Sequence, residues 1–188
     1  MHSFLNSDEI ESLKLASVGE NVLISRHALI LGPKNISISD NVRIDPFTVL
    51  SAKDGKLNIG KFVHIGSHSL LICSGGIEID DYASISSNVQ IFSGSDDFSG
   101  NFLTNPTIDP KFRNVKIGLV KLNSHTIIGS GSVILPNLKI GNGVAVGALS
   151  LVDRNLDEWA VYSGNPIKHI RPRSKELLKL EMLLREQN

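Results

Sequence analysis

Aliphatic residues recur along this chain at intervals of six. Val18, Ile24 and Ile30 form one run, and fresh starts at Ile38, Ile59, Ile79 and Leu122 continue in the same step through Ile44, Leu50, Ile65, Leu71, Ile85, Ile91, Ile128, Ile134, Ile140, Val146 and Val152. All 18 positions hold Val, Ile or Leu. Composition alone would place such a residue at roughly three in ten of them, so the period reports the fold. Four residues after each start comes a small or aliphatic side chain: Val22, Ala28, Val42, Thr48, Val63, Ser69, Ala83, Val89, Thr126, Ser132, Leu138, Val144 and Ser150, with Lys34 the exception. Six steps of about 100° return a helix to the wrong face. Short strands joined by corners fit instead, because residues two apart share a strand face and both inner positions then point the same way. Gly, Asn, Asp and Ser collect between them, as in Ile128-Gly-Ser-Gly-Ser and Ile140-Gly-Asn-Gly-Val, supplying backbone that can turn. Three hexads close one triangular coil. Coils stacked about 4.8 Å apart predict an all-β solenoid with an aliphatic ladder inside.

The register breaks in several places. Two extra residues precede Ile38 and two precede Ile79, and a three-residue slip falls at residues 53–55; these read as corner bulges. Between Ile91 and Leu122 the six-residue step is lost, which predicts a protruding loop over residues 93–115, long enough to carry function. Phe92, Phe98, Phe102 and Phe112, four of the seven phenylalanines, lie in or beside it, so the loop is expected to pack on something. Residues 7–15 read as a short helix capped by Asn6 or Ser7, with acidic residues in its first turn. Residues 174–186 read as a second helix bearing Leu177, Leu178, Leu180, Leu183 and Leu184, a plain end cap or a subunit contact. The organisation is therefore a helical cap over 1–17, a solenoid over 18–166, and a basic segment with a helix over 167–188.

Composition narrows the class. The 188 residues carry nineteen basic and nineteen acidic side chains, which fits neither a duplex-binding protein nor a disordered chain. Aromatics make up only 5%, so burial must rest on aliphatic packing. The single cysteine, Cys73, cannot form an intramolecular disulfide, the N-terminal stretch is polar, and no apolar run approaches the roughly 20 residues of a membrane span. A reduced, cytoplasmic protein without nucleic-acid partners or a membrane span is expected.

At the C-terminal end the residues become more specific. Ile127-Ile128-Gly-Ser-Gly-Ser-Val-Ile-Leu-Pro136, then Ile140-Gly-Asn-Gly-Val-Ala-Val-Gly-Ala-Leu-Ser150, then Tyr162-Ser-Gly-Asn-Pro-Ile-Lys168 resemble the donor-binding end of the hexapeptide-repeat acyltransferases. The likeness spans residues 18 to 171. It implies a left-handed parallel β-helix, a homotrimer with active sites between subunits, and direct transfer of an acyl group, most simply acetyl, from acetyl-CoA. The acceptor would be a hydroxyl or amine of a sugar or nucleotide-linked sugar, as in surface-polysaccharide biosynthesis, and no metal is required. In galactoside-type members the loop matching residues 93–115 carries a Gly-His pair with the catalytic base; here Ser95-Asp96 stands in the matching place, so that base cannot be carried over.

The base must come from elsewhere, and histidine is the side chain that takes a proton near neutrality. His64 and His125 both read as outward residues on one face near the loop. His125 is favoured as base for its closeness to the donor coils, with His64 binding the distal acceptor. His27 and His68 fall at corners, and His2 and His169 receive no catalytic role. Asp96 and Asp97 are the candidate acceptor-binding carboxylates. Gly147 and Ala148, small enough to let a pantetheine arm reach the backbone, and Lys168 and Arg171, cations suited to phosphates, are the candidate coenzyme A contacts. Cys73 has no adjacent histidine, which argues against a nucleophilic role. Two alternatives share the solenoid: a metalloenzyme like the gamma-class carbonic anhydrases, whose histidine spacing His64, His68 and His125 do not reproduce, and a non-catalytic scaffold.

Overall fold

The computed structural model describes residues 3–186, so His2 lies outside the described residues. Three parallel sheets wrap a single core. The first face is built from Ser17–Val18, Ile36–Ile38, Leu57–Ile59, Ile77–Ile79, Val120–Leu122 and Leu138–Ile140. The second holds Leu23–Ile24, Arg43–Ile44, His64–Ile65, Ser84–Ile85, Ile127–Ile128 and Ala145–Val146, and is extended by Ala160–Ser163 and the antiparallel edge strand Lys168–Pro172. The third stacks Leu29–Leu31, Val49–Ser51, Leu70–Ile72, Gln90–Phe92, Val133–Ile134 and Leu151–Val152. Each coil visits the three faces in turn, giving the parallel solenoid that the six-residue register implies.

The aliphatic ladder lies inside. Of the register positions only Val18 and Ile30, in the first coil, escape burial; Ile44, Leu50, Ile65, Leu71, Ile85, Ile91, Leu122, Ile128, Ile134 and Ile140 are wholly enclosed. Full burial of one such side chain contributes about 1.5–3 kcal/mol, and a ladder repeats it at every rung. Beneath the first coil, helix α1 (Ser7–Ser12) supplies the missing layer, with Ile10, Leu13 and Leu15 packed on the core. Asn6 and Glu9 cap its N-terminus reciprocally, and Lys14 in the left-handed region ends the chain's helical course before residue 15.

The corners differ from the expectation that small polar residues would dominate them. The third residue after a register start turns with positive φ, and it is often bulky: Phe47, Phe62, His68, Tyr82, His125 and Leu149 lie between 56° and 61°. A side chain in that region is normally disfavoured. Stacking provides the compensation, since Phe62 lies 4.9 Å from Tyr82 at 5° between planes, and Tyr82 lies 5.1 Å from His125 at 9°.

The loop between Phe92 and Val120 leaves the corner joining the third face to the first. It returns through an antiparallel pairing of Gly94–Ser95 with Lys116–Ile117, and a short 3-10 turn, Pro110–Phe112, lies within it. Phe98 is 91% exposed, so this ring does not pack on the chain that carries it. Helix α2 (Leu177–Arg185) lies outside the solenoid with no buried residue. Among the described residues no helix is long and apolar enough to cross a membrane.

Candidate functional site

The second face carries most of the chemistry. Its outward side chains run Leu23, Arg43, His64, Ser84, Ile127, Ala145 and Val161, in register from one coil to the next. Two residues along each strand a second outward column reads Ser25, Asp45, Gly66, Ser86, Gly129, Gly147 and Ser163. Polar groups thus occupy the lower coils, and the upper coils offer bare backbone. A Cβ on Gly129 would lie 2.5 Å from the Ala148 nitrogen, so glycine is needed there for the coils to stack, and one on Gly147 would lie 2.5 Å from Ser163 Oγ, so glycine there leaves the shelf flat without displacing that hydroxyl.

His64 stands on this face with its side chain 45% exposed. Its Nε2 lies 2.8 Å from Asp45 Oδ2, and Arg43 Nε donates to the other oxygen of the same carboxylate at 2.7 Å. Burial opposes ionisation of Asp45, but the hydrogen bonds from His64 and Arg43 outweigh it and hold the carboxyl below its ordinary value. Asp45 and Arg43 were not singled out from sequence. Their signal is a coil-length separation, 19 residues between Asp45 and His64, with both outward in the strand register.

His125 is placed elsewhere, and this corrects the reading of it as an outward strand residue near the loop. It is a third-position corner residue, like His68, whereas His64 immediately precedes a register start. Its ring is sandwiched between Tyr82 and Trp159, and its side chain is only 11% exposed. Glu181 of α2 lies 2.9 Å from its Nε2, and Arg173 donates to its backbone carbonyl at 2.8 Å. The C-terminal segment thereby straps this corner shut, with Lys175 over the Trp159 ring.

The two loop carboxylates have separate surroundings. Asp97 is buried and accepts from Ser99 Oγ at 2.6 Å and Ser99 N at 3.1 Å, so it fixes the loop's own turn. The Ser99 hydroxyl is the main reason its carboxyl is held low. Asp96 instead lines a groove of about 1070 Å³ between the loop and the upper third face, with Phe92, Phe98, Lys116, Val133, Leu135 and Asp153. Within one chain neither carboxylate meets His64 or His125, because the loop leaves a different corner from either.

The donor-end residues do come together. Gly147 neighbours Ser163, which pairs with Lys168, and Arg171 pairs with Val161 beside Ala145. Ala148, Lys168 and Arg171 are all exposed. Gly147 O accepts from the hydroxyls of Ser132 and Ser150, which secures the shelf from within. Three spacings of about 4.8 Å separate the His64 rung from that of Ala145. Cys73 is buried, and its thiol is pushed up to about 12 by desolvation, which leaves it inert as a nucleophile. Among the described residues no three His, Cys, Asp or Glu side chains gather as a metal set.

No family model matches the chain. Over 183 residues, 97% of this chain and 95% of the relative, it is 42% identical to a dTDP-4-amino-4,6-dideoxy-D-glucose acyltransferase of Escherichia coli. A putative lipopolysaccharide biosynthesis O-acetyl transferase of the K12 strain is 27% identical over 72% of this chain and 82% of its own length. Among solved structures, the N-acyltransferase AntD from Bacillus cereus, bound to dTDP and 3-hydroxybutyryl-CoA, superposes with a TM-score of 0.96 at 45% identity, over 100% of this chain and 98% of that one. A maltose O-acetyltransferase from Clostridium difficile 630 shares the fold at a TM-score of 0.60 and 22% identity, covering 89% of this chain and 74% of its own.

Proposed function

Because the chain belongs to the hexapeptide-repeat acyltransferases and is an acyl-CoA-dependent sugar acyltransferase, we propose that its acceptor is the 4-amino group of dTDP-4-amino-4,6-dideoxyglucose or a near relative of it. The observation that carries this reading is identity above 40% over almost the whole of both chains, loop included, to an enzyme named for that acceptor. The acyl group is acetyl or a short hydroxyacyl chain such as the 3-hydroxybutyryl group carried by the coenzyme bound to AntD.

In the proposed reaction the neutral amine attacks the thioester carbonyl, the C–N bond forms, the C–S bond breaks, and coenzyme A leaves as its thiolate. Backbone amides on the glycine shelf steady the oxyanion. We assign the general base to His64 in place of His125. A neutral imidazole donating its Nε2–H to Asp45 keeps the Nδ1 lone pair for the ammonium proton, whereas the imidazole of His125 is enclosed by α2 and Glu181. Gly147 and Ala148 take the pantetheine arm, and Lys168 and Arg171 the phosphates. Asp96 binds acceptor from a neighbouring subunit of a homotrimer, since its own chain's second face lies out of reach, and Asp97 supports it by holding the loop. We place the reaction in the cytoplasm.

The test is thiol release with acetyl-CoA and 3-hydroxybutyryl-CoA, each against dTDP-4-amino-4,6-dideoxyglucose and dTDP-glucose. Release with the amino sugar alone supports the reading. Equal release with dTDP-glucose, or none with either, overturns it. Light scattering should give three times the 20.4 kDa chain mass; a fully active monomer would remove the composite site.

A further inference from the structure

Among the described residues two corners of the solenoid carry stacked rings, and one of them is covered. The column Phe62, Tyr82, His125 and Trp159 is closed by the chain's own C-terminal strap. At the corner between the second and third faces, His27 stacks on Phe47 with centroids 5.5 Å apart, and Phe47 on His68 at 5.0 Å, with planes within 23°. This column is bare: Phe47 is 55% exposed, and both histidines are exposed. It stops at His68. The next rung is the exposed Asn88, whose side chain is too short to cover a ring, and the rung above is Gly131. Among the described residues the side chains of His68 and Asn88 have no hydrogen-bond partner.

We propose that the open end of this column binds the thymine base of the nucleotide-linked acceptor, with the ring stacked on His68 and its imide edge paired to the Asn88 amide. The proposal rests on the dTDP-sugar reading above. A stack that ends on an uncovered ring can accept one more planar ring, and stacking of this kind is sequence-tolerant but favourable for any base. The adjoining Asn88 adds what stacking lacks, a donor and an acceptor side by side, matching the N–H and carbonyl of an imide. Position agrees as well. His64 precedes His68 by four residues, at most about 14 Å of extended chain, so a base on the corner leaves the diphosphate and sugar lying along the second face toward the proposed reaction centre. The left-handed φ of 61° shared by Phe47, His68 and Asn88 fixes all three rungs rigidly in line, so little ordering is left for the ligand to impose.

The competing occupant is a second copy of the chain, and the experiment separates the two. Calorimetric titration of the full-length protein with dTDP, and separately with inorganic pyrophosphate, would be run on wild type, His68→Ala, His68→Phe and Asn88→Ala, with molar mass and melting temperature recorded for each. The expected result is a dTDP affinity weakened about tenfold or more by His68→Ala and severalfold by Asn88→Ala, near-normal in His68→Phe, with pyrophosphate binding and molar mass unchanged. Unaltered dTDP affinity in the two alanine variants overturns the proposal while leaving the acceptor reading in place. So does a fall in molar mass, which would make the corner a contact between copies. Failure of wild type to bind dTDP overturns both.

Discussion

Replacing His125 by alanine should cost stability and spare turnover, and His64→Ala should do the reverse. The His125 imidazole is 11% exposed, pairs with a Glu181 carboxylate that is 14% exposed, and stacks on Tyr82 at 5.1 Å. A hydrogen bond to a charged group contributes about 1.5–3 kcal/mol, and an aromatic contact about 0.5–1.5 kcal/mol. Arg185 remains as a partner for Glu181 after the substitution, so the net loss should be about 2–3 kcal/mol. In a chain of this size each kcal/mol lowers Tm by about 2–4 °C, which places the His125→Ala midpoint roughly 4–12 °C below wild type, with kcat within about threefold. His64 is 45% exposed, so its removal should move Tm little; loss of a general base costs about 10²–10⁴-fold in kcat. Thermal melts and thiol-release kinetics on both variants decide the matter. A collapse of kcat in His125→Ala at unchanged Tm, with His64→Ala active, would show that the buried corner histidine is the base and that the strap must open during turnover.

Other consequences follow from named groups. Lys168→Ala combined with Arg171→Ala should raise KM for the acyl-CoA several-fold with kcat little changed, because both cations lie on the exposed edge strand and are proposed to take only the coenzyme's phosphates; an unchanged KM would move the coenzyme elsewhere. Asp45 has a folded pKa below its unfolded value near 3.9, so it adds stability above that pH and loses it as pH falls through the folded pKa. Wild-type Tm should therefore drop more steeply between pH 5 and pH 3 than that of Asp45→Asn, and parallel profiles would contradict the dyad. Native Cys73 should resist iodoacetamide at pH 8 and react only in denaturant; rapid labelling of the folded protein would mean the thiol is reachable.

The solenoid was legible because one physical rule, an inward aliphatic at each strand, repeats at a fixed interval, and even the end effects at Val18 and Ile30 obey it. The corners were half legible. Glycine and asparagine announce a turn by their own preferences, but a phenylalanine or histidine in the same place is held there by rings above and below, which a linear reading does not see. That is why His125 was grouped with His64, although counting three residues on from Leu122 would have put it in the corner with His68. Asp45 was hidden for a related reason: its partner is one coil away, and the two meet only when coils are stacked. The flat stretch of the upper second face was readable, since Gly129 and Gly147 stand at corner positions of the repeat and a Cβ at Gly129 would meet the backbone of the next coil. The acceptor role proposed for Asp96 was harder to judge, because Asp96 lines a groove that a second chain is proposed to complete.

The most direct test is to mix the purified protein with 3-hydroxybutyryl-CoA or acetyl-CoA and dTDP-4-amino-4,6-dideoxyglucose, quench within one turnover, and weigh both the small molecules and the intact protein by mass spectrometry. Direct transfer predicts a nucleotide sugar heavier by one acyl group attached at nitrogen, free coenzyme A in equal amount, and a protein of unchanged mass. An acyl group found on the protein, or a nucleotide sugar of unchanged mass while coenzyme A is released, would contradict the account.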